Sequence, residues 1–170
     1  MFRKGLEHIK EPYRLIISRL LKELLNVFGD DLISVVVYGS VARGDAKRDS
    51  DIDVLIVVEN LPKSRFERLS KYLKAEERLD DMLYSLFKEG YAVTISPILK
   101  SREEAEKTSP LYLDMVEDAV IVYDRGGFFE SILRRLKAKL ESLGAERIWV
   151  GKKWYWRLKK DYRFGEVVEL

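Results

Sequence analysis

The sequence reads as one α/β domain, a layered fold around a single sheet. Two observations support this. Four apolar, β-branched runs (residues 32–38, 52–58, 91–99 and 119–123) alternate with segments whose apolar residues recur at helical spacing. The length, 170 residues with 46% hydrophobic, suits one globular core, and no repeat, low-complexity tract or composition break marks a second domain.

The elements follow in order. Over residues 12–28, Leu15, Ile16, Leu20, Leu21, Leu24, Leu25 and Phe28 form the apolar stripe of an amphipathic helix, ended at Gly29-Asp30. Residues 32–38 (LISVVVY) read as a buried strand. A polar stretch, 39–50, is punctuated by Gly39 and Gly44, and residues 52–58 (IDVLIVV) form a second strand, closed by Asn60-Leu61-Pro62. Residues 64–88 are helical, with a break near Asp80-Asp81 and a stop at Gly90. Residues 91–99 (YAVTISPIL) are a third strand; Pro97 cannot donate a ladder bond and marks an edge or a strand end. Ser109-Pro110 opens a short helix reaching Glu117. Residues 119–123 (AVIVY) are the fourth strand, and 128–143 an amphipathic helix with Gly144 just past its end. The expected division is a domain over 1–145 and an aromatic, basic C-terminal extension over 146–170 packed on that same domain.

Composition excludes several chemistries. The absence of cysteine removes disulfides, zinc–thiolate sites and thiol catalysis. His8 is the single histidine, so a multi-histidine metal site is excluded; its polar surroundings read as surface. Lys and Arg number 31 against 29 Asp and Glu, so net charge gives no argument for nucleic acid. No apolar run approaches the ~20 residues of a membrane span, and the expectation is a cytoplasmic protein without a membrane partner. No glutamine, two asparagines and abundant Lys, Arg and Glu fit a thermophile.

Chemistry concentrates in residues 38–54. Gly39-Ser40 follows directly on a strand, where a glycine lets backbone approach a ligand and Ser40 can cap a short helix. Asp51 and Asp53 open the next strand. Side chains at i and i+2 leave one strand face, so the two carboxylates converge while Ile52 and Val54 face the core. Such a pair raises its own proton affinity and favours a cation. Mg²⁺ suits it, because that ion takes one or two carboxylates and fills its shell with water and substrate phosphates. The plainer reading, a polar turn entering a strand, explains Asp49 and Ser50 but not Asp53, which interrupts an apolar run. Lys47 and Arg48 read as solvated loop charges.

Gly39-Ser40, a ten-residue gap, then Asp51-Ile52-Asp53, with a strand on each side, resembles the motif of the DNA polymerase β-type nucleotidyltransferase superfamily, and within it the small stand-alone prokaryotic members. The resemblance spans the motif and, in element order, about residues 11–124. It implies a mixed sheet flanked by helices and transfer of an NMP group from an NTP to an acceptor hydroxyl, with release of pyrophosphate. It implies Gly39, Ser40 and Arg43 as nucleotide contacts, and Asp51 and Asp53 as catalytic ligands of Mg²⁺ (or Mn²⁺). It also implies a helical partner protein. One departure stands out. The family places a third carboxylate on the neighbouring strand, here 91–99, which offers only Thr94 and Ser96; sequence alone puts none of Asp80, Asp81, Asp114 and Asp118 in the site. That gap motivates an alternative: a catalytically silent module of the same fold that binds nucleotide, RNA or a helical partner.

The tail is the second unusual feature. Residues 147–164 hold seven basic residues against one acid, with Trp149, Trp154, Trp156, Tyr155, Tyr162 and Phe164. Basic and aromatic residues together suit single-stranded nucleic acid. The favoured reading is a strand or hairpin that packs its aromatics on the core and leaves Lys and Arg in solvent, with RNA contact the less favoured one.

Overall fold

A computed structural model describes every residue from Met1 to Leu170 except Tyr162 and Phe164. The elements are β1 (Arg3–Lys4), α1 (Tyr13–Phe28), β2 (Leu32–Tyr38), α2 (Gly39–Arg43), β3 (Ile52–Val58), α3 (Arg65–Glu76), α4 (Asp80–Lys88), β4 (Ile95–Ser101), α5 (Arg102–Glu106), α6 (Pro110–Asp118), β5 (Val120–Asp124), α7 (Phe128–Ser142), β6 (Glu146–Val150) and β7 (Lys153–Arg157).

Five strands form a mixed sheet in the order β1-β5-β2-β3-β4, flanked by helices. β2 runs antiparallel to β3 and β5, whereas β4 lies parallel to β3. The parallel pair requires a crossover, which α3 and α4 supply, joined by a 3₁₀ turn over Glu77–Leu79 at the expected break. β2 and β3 are central and covered on both faces, so they read as unbroken apolar runs with no polar alternation. On one face, Val54 and Ile56 of β3 pack with Ile16, Leu20 and Leu24 of α1 and Tyr72 of α3. On the other, Leu55 and Val57 pack with Val116 of α6 and Phe129 and Leu133 of α7. Each fully buried aliphatic side chain contributes about 1.5–3 kcal/mol of transfer free energy, which makes these two layers the main source of stability. Asp53 therefore points toward a second core layer, at its open end, and not away from the core.

The third strand begins later than its composition suggests, at Ile95, and runs to Ser101. Residues 91–94 stay outside the ladder because the Ala92 N–H donates to the Arg48 carbonyl at 2.9 Å, which ties them to the motif loop. Pro97 sits on the edge strand, opposite Val54. The tail forms a two-stranded hairpin, β6–β7, from which Trp156 packs on the second core layer. Its Arg147 is ion-paired, contrary to the expectation of basic residues left in solvent. Tyr162 and Phe164, grouped with the tail aromatics above, lie outside the described residues.

Asp124 closes the fold at one corner. Its carboxylate accepts the N–H groups of Phe129 (3.0 Å) and Glu130 (2.9 Å), capping α7, and the hydroxyl of fully buried Ser34 (2.7 Å). Asp124→Ala uncaps the helix and orphans that hydroxyl together. The expected loss is about 2–4 kcal/mol in urea unfolding, with activity per folded molecule retained.

Candidate active site

β2 delivers the chain to Gly39, whose φ of +71° lies in the left-handed region. A Cβ built there would fall onto Asp53 Oδ2, inside any contact distance. Glycine is thus required twice, for the backbone and for the approach of a carboxylate. α2 spans Gly39–Arg43 with no side-chain cap, so the Ser40 side chain caps nothing, contrary to the sequence expectation. Buried Val41 and Ala42 anchor the turn, and the Ala42 carbonyl accepts from the Arg3 guanidinium. Gly44, in the left-handed conformation, ends it, with its N–H on the Ser40 carbonyl at 3.0 Å.

The loop to β3 is held at several points. Lys10 Nζ donates to the Gly44 carbonyl (2.8 Å), the Tyr13 hydroxyl to the Lys47 carbonyl, and the Lys47 N–H to Ser50 Oγ (2.8 Å). Lys47 and Arg48 are exposed, with the Arg48 guanidinium 5.0 Å from the Tyr91 ring centre. His8 is exposed as well.

Asp51 is exposed, and its Oδ1 accepts the Thr94 hydroxyl. Asp53 stands between Tyr38 of β2 and Ser96 of β4 in the ladder register. It is partly buried and has no hydrogen bond or ion pair among the described residues. Burial pushes its pKa above the ordinary carboxylate value; the Asp51 charge adds to this and Arg43 partly offsets it. The Tyr38 hydroxyl is pushed up to about 12, mostly by burial and then by Asp53. The two acids and Arg43 thus lie within electrostatic reach of one another, beside the Gly39 bend.

No acid stands on β4 next to Asp53; Ser96 occupies that position. Asp80 and Asp81 open α4 and are exposed. Asp114 and Asp118 do reach the site. Four residues apart on α6, they share one helix face, and with Leu111 they wall a cleft of about 180 Å³ opposite Tyr38, Gly39, Arg43 and Asp53. Both are engaged by the C-terminal hairpin. The indole N–H groups of Trp154 and Trp156 each donate to Asp114 Oδ1 at 2.8 Å. Arg147 forks onto Asp118 at 2.5 and 3.2 Å. The i, i+4 spacing was the only signal in the sequence for this pair. Among the described residues no three His, Asp or Glu side chains group around one metal position, and no helix is long and apolar enough to cross a membrane.

Residues 17–112, more than half of the chain and spanning the whole bend-to-strand segment, match the family model of the nucleotidyltransferase domain. The chain belongs to this family. Among its relatives are two proteins of Methanocaldococcus jannaschii. Putative protein adenylyltransferase MJ1305 is 37% identical over 72% of this chain and 79% of its own length. Putative protein adenylyltransferase MJ0141 is 36% identical over 61% of this chain and 90% of its own. Protein adenylyltransferase MntA of Thermococcus cleftensis is 38% identical over 50% of this chain and 87% of its own. This chain is an enzyme that moves a nucleoside monophosphate group from an NTP to an acceptor. The family match ends at Tyr112, before Asp114 and the hairpin.

Proposed function

We propose that the NTP is ATP, that the acceptor is a protein hydroxyl, and that the segment from Gly39 to Asp53 binds the nucleotide and its cation. One observation carries the site assignment: Asp53 is a partly buried carboxylate with no partner among the described residues, set against a glycine that leaves it room. A buried carboxylate beside a second one is costly to ionise unless a cation neutralises it. The donor set fits Mg²⁺ or Mn²⁺: two hard carboxylates, with the remaining positions open to water and phosphate oxygens. When bound, such an ion neutralises the polyphosphate and lowers the pKa of the acceptor hydroxyl.

The chain's own residues do the positioning. Gly39 lets backbone come close to phosphate, and Ser40 adds a second amide beside it. Arg43 supplies a planar guanidinium suited to paired phosphate oxygens. Thr94 fixes the orientation of Asp51, and Ser50 tightens the loop that presents it. Phosphoryl chemistry of this kind depends on positioning and charge neutralisation, with little covalent work for the protein. The adenylyl group and the protein acceptor rest on the names of the relatives above.

The test is label transfer. The full chain is incubated with Mg²⁺, the helical partner implied by the motif resemblance, and ATP labelled at either the α- or the γ-phosphate. Label is expected on protein from the α-position alone. Transfer from the γ-position would make the reaction a phosphorylation and overturn the assignment.

A further inference from the structure

The C-terminal hairpin lies beyond the region matched by the family model, yet it bonds two acids of the cleft wall, Asp114 and Asp118. In its register Arg147 faces Trp156 and Trp149 faces Trp154, so all four side chains leave one face. That face meets α6 and α2. The Trp149 and Trp154 rings are 4.9 Å apart, and the Arg147 guanidinium lies 5.2 and 5.3 Å from their centres. The Arg43 guanidinium lies 5.0 Å from the Trp154 centre. Among the described residues Arg43 is otherwise ion-paired with Asp45, at 3.2 Å, an acid whose side chain is 61% exposed and so a weak anchor.

We propose that Trp154 is a positioning residue for Arg43, holding its guanidinium at the cleft beside Asp53 so that it meets the NTP phosphates. The proposal rests on the reading of Arg43 as a phosphate contact. The cause is physical. A free arginine side chain carries rotamer entropy that a phosphate contact must overcome, and an aromatic face that docks the guanidinium beforehand removes part of that cost. The same indole is fixed from its edge by Asp114, with the Trp156 N–H on the same oxygen. Arg147 neutralises Asp118, so the hairpin also reduces the negative charge that a polyphosphate would meet. The ring is buttressed on one edge by an acid and presents its face to a cation, an arrangement that simple burial of a tryptophan does not require.

A double-mutant cycle tests it. Dissociation constants for a nonhydrolysable ATP analogue with Mg²⁺ are measured by calorimetry for the full chain and for Arg43→Met, Trp154→Leu, Trp154→Phe and the Arg43→Met/Trp154→Leu pair. Folding is checked by circular dichroism and melting. Arg43→Met is expected to weaken binding roughly tenfold, and Trp154→Leu to reproduce most of that loss. The double variant should be no weaker than Arg43→Met, because both changes remove one interaction. Trp154→Phe keeps an aromatic face, and Trp156 still bonds Asp114, so it should recover most of the affinity. Additive losses in the double variant, or parent-like binding by Trp154→Leu when Arg43→Met is weak, would overturn the proposal. If Arg43→Met binds like the parent, the phosphate reading of Arg43 is what fails, and the proposal falls with it.

Discussion

Asp53→Asn is expected to lower nucleotidyl transfer by about a thousandfold or more, the scale on which a principal electrostatic contact is lost from a transition state. The same change is expected to stabilise the metal-free protein at neutral pH. Burial, and next the Asp51 charge, hold the folded-state pKa of Asp53 above its unfolded value. A carboxylate shifted this way binds its proton more tightly folded than unfolded. Its ionised form therefore costs stability above the folded-state pKa, and the cost disappears as pH falls below the unfolded value. The melting temperature of Asp53→Asn should exceed that of the parent at neutral pH. The difference should close as pH falls through the carboxylate range, about pH 4. Mg²⁺ at ten times its dissociation constant should stabilise the parent by about 1.4 kcal/mol, read as a rise in melting temperature, and leave Asp53→Asn nearly unmoved. Loss of activity with loss of stability at neutral pH would instead mean that Asp53 is a structural residue.

Gly39→Ala should be nearly as damaging, for a different reason. Its left-handed φ costs an L-residue about 1–2 kcal/mol, and the new methyl group meets Asp53 Oδ2. Relief requires the carboxylate or the bend to move, which spoils the geometry that binds nucleotide. Affinity and transfer rate should each fall by about a hundredfold, since a misplacement of an ångström is enough for that. Gly44→Ala is the control. Its φ is +81°, so the backbone cost is similar, but its Cβ would meet only the flexible end of Lys10, at 3.4 Å. Urea unfolding should show both variants destabilised, Gly39→Ala the more, with nucleotide binding lost in Gly39→Ala alone. Equal activity in both would remove the steric role of Gly39.

Local patterns carried the fold far. LISVVVY and IDVLIVV announced two strands at their observed bounds because a strand buried on both faces must be continuously apolar. Helix α1 announced itself through the spacing of Ile16, Leu20 and Leu24. The third strand started four residues late because Ala92 bonds across to Arg48, a long-range contact with no local signature. Ser40 looked like a cap and is not one, since it lies inside the helical turn that spans Gly39–Arg43. Within the candidate site, the closeness of Gly39 and Asp53 was legible because one short connection joins their strands. Asp114 and Asp118 were not, because their approach depends on how α6 packs across the sheet. The partnership of Arg43 with Trp154 joins residues more than a hundred positions apart, and periodicity does not report such a pair.

The most direct test is crystallographic. Crystals of the full chain are soaked with Mn²⁺ and a nonhydrolysable ATP analogue, and anomalous scattering locates the metal. The expected result is a Mn²⁺ peak within bonding distance of both Asp51 and Asp53, with phosphate oxygens against the backbone of Gly39 and Ser40. A nucleotide bound elsewhere, or a metal that leaves Asp53 without a ligand, would contradict it.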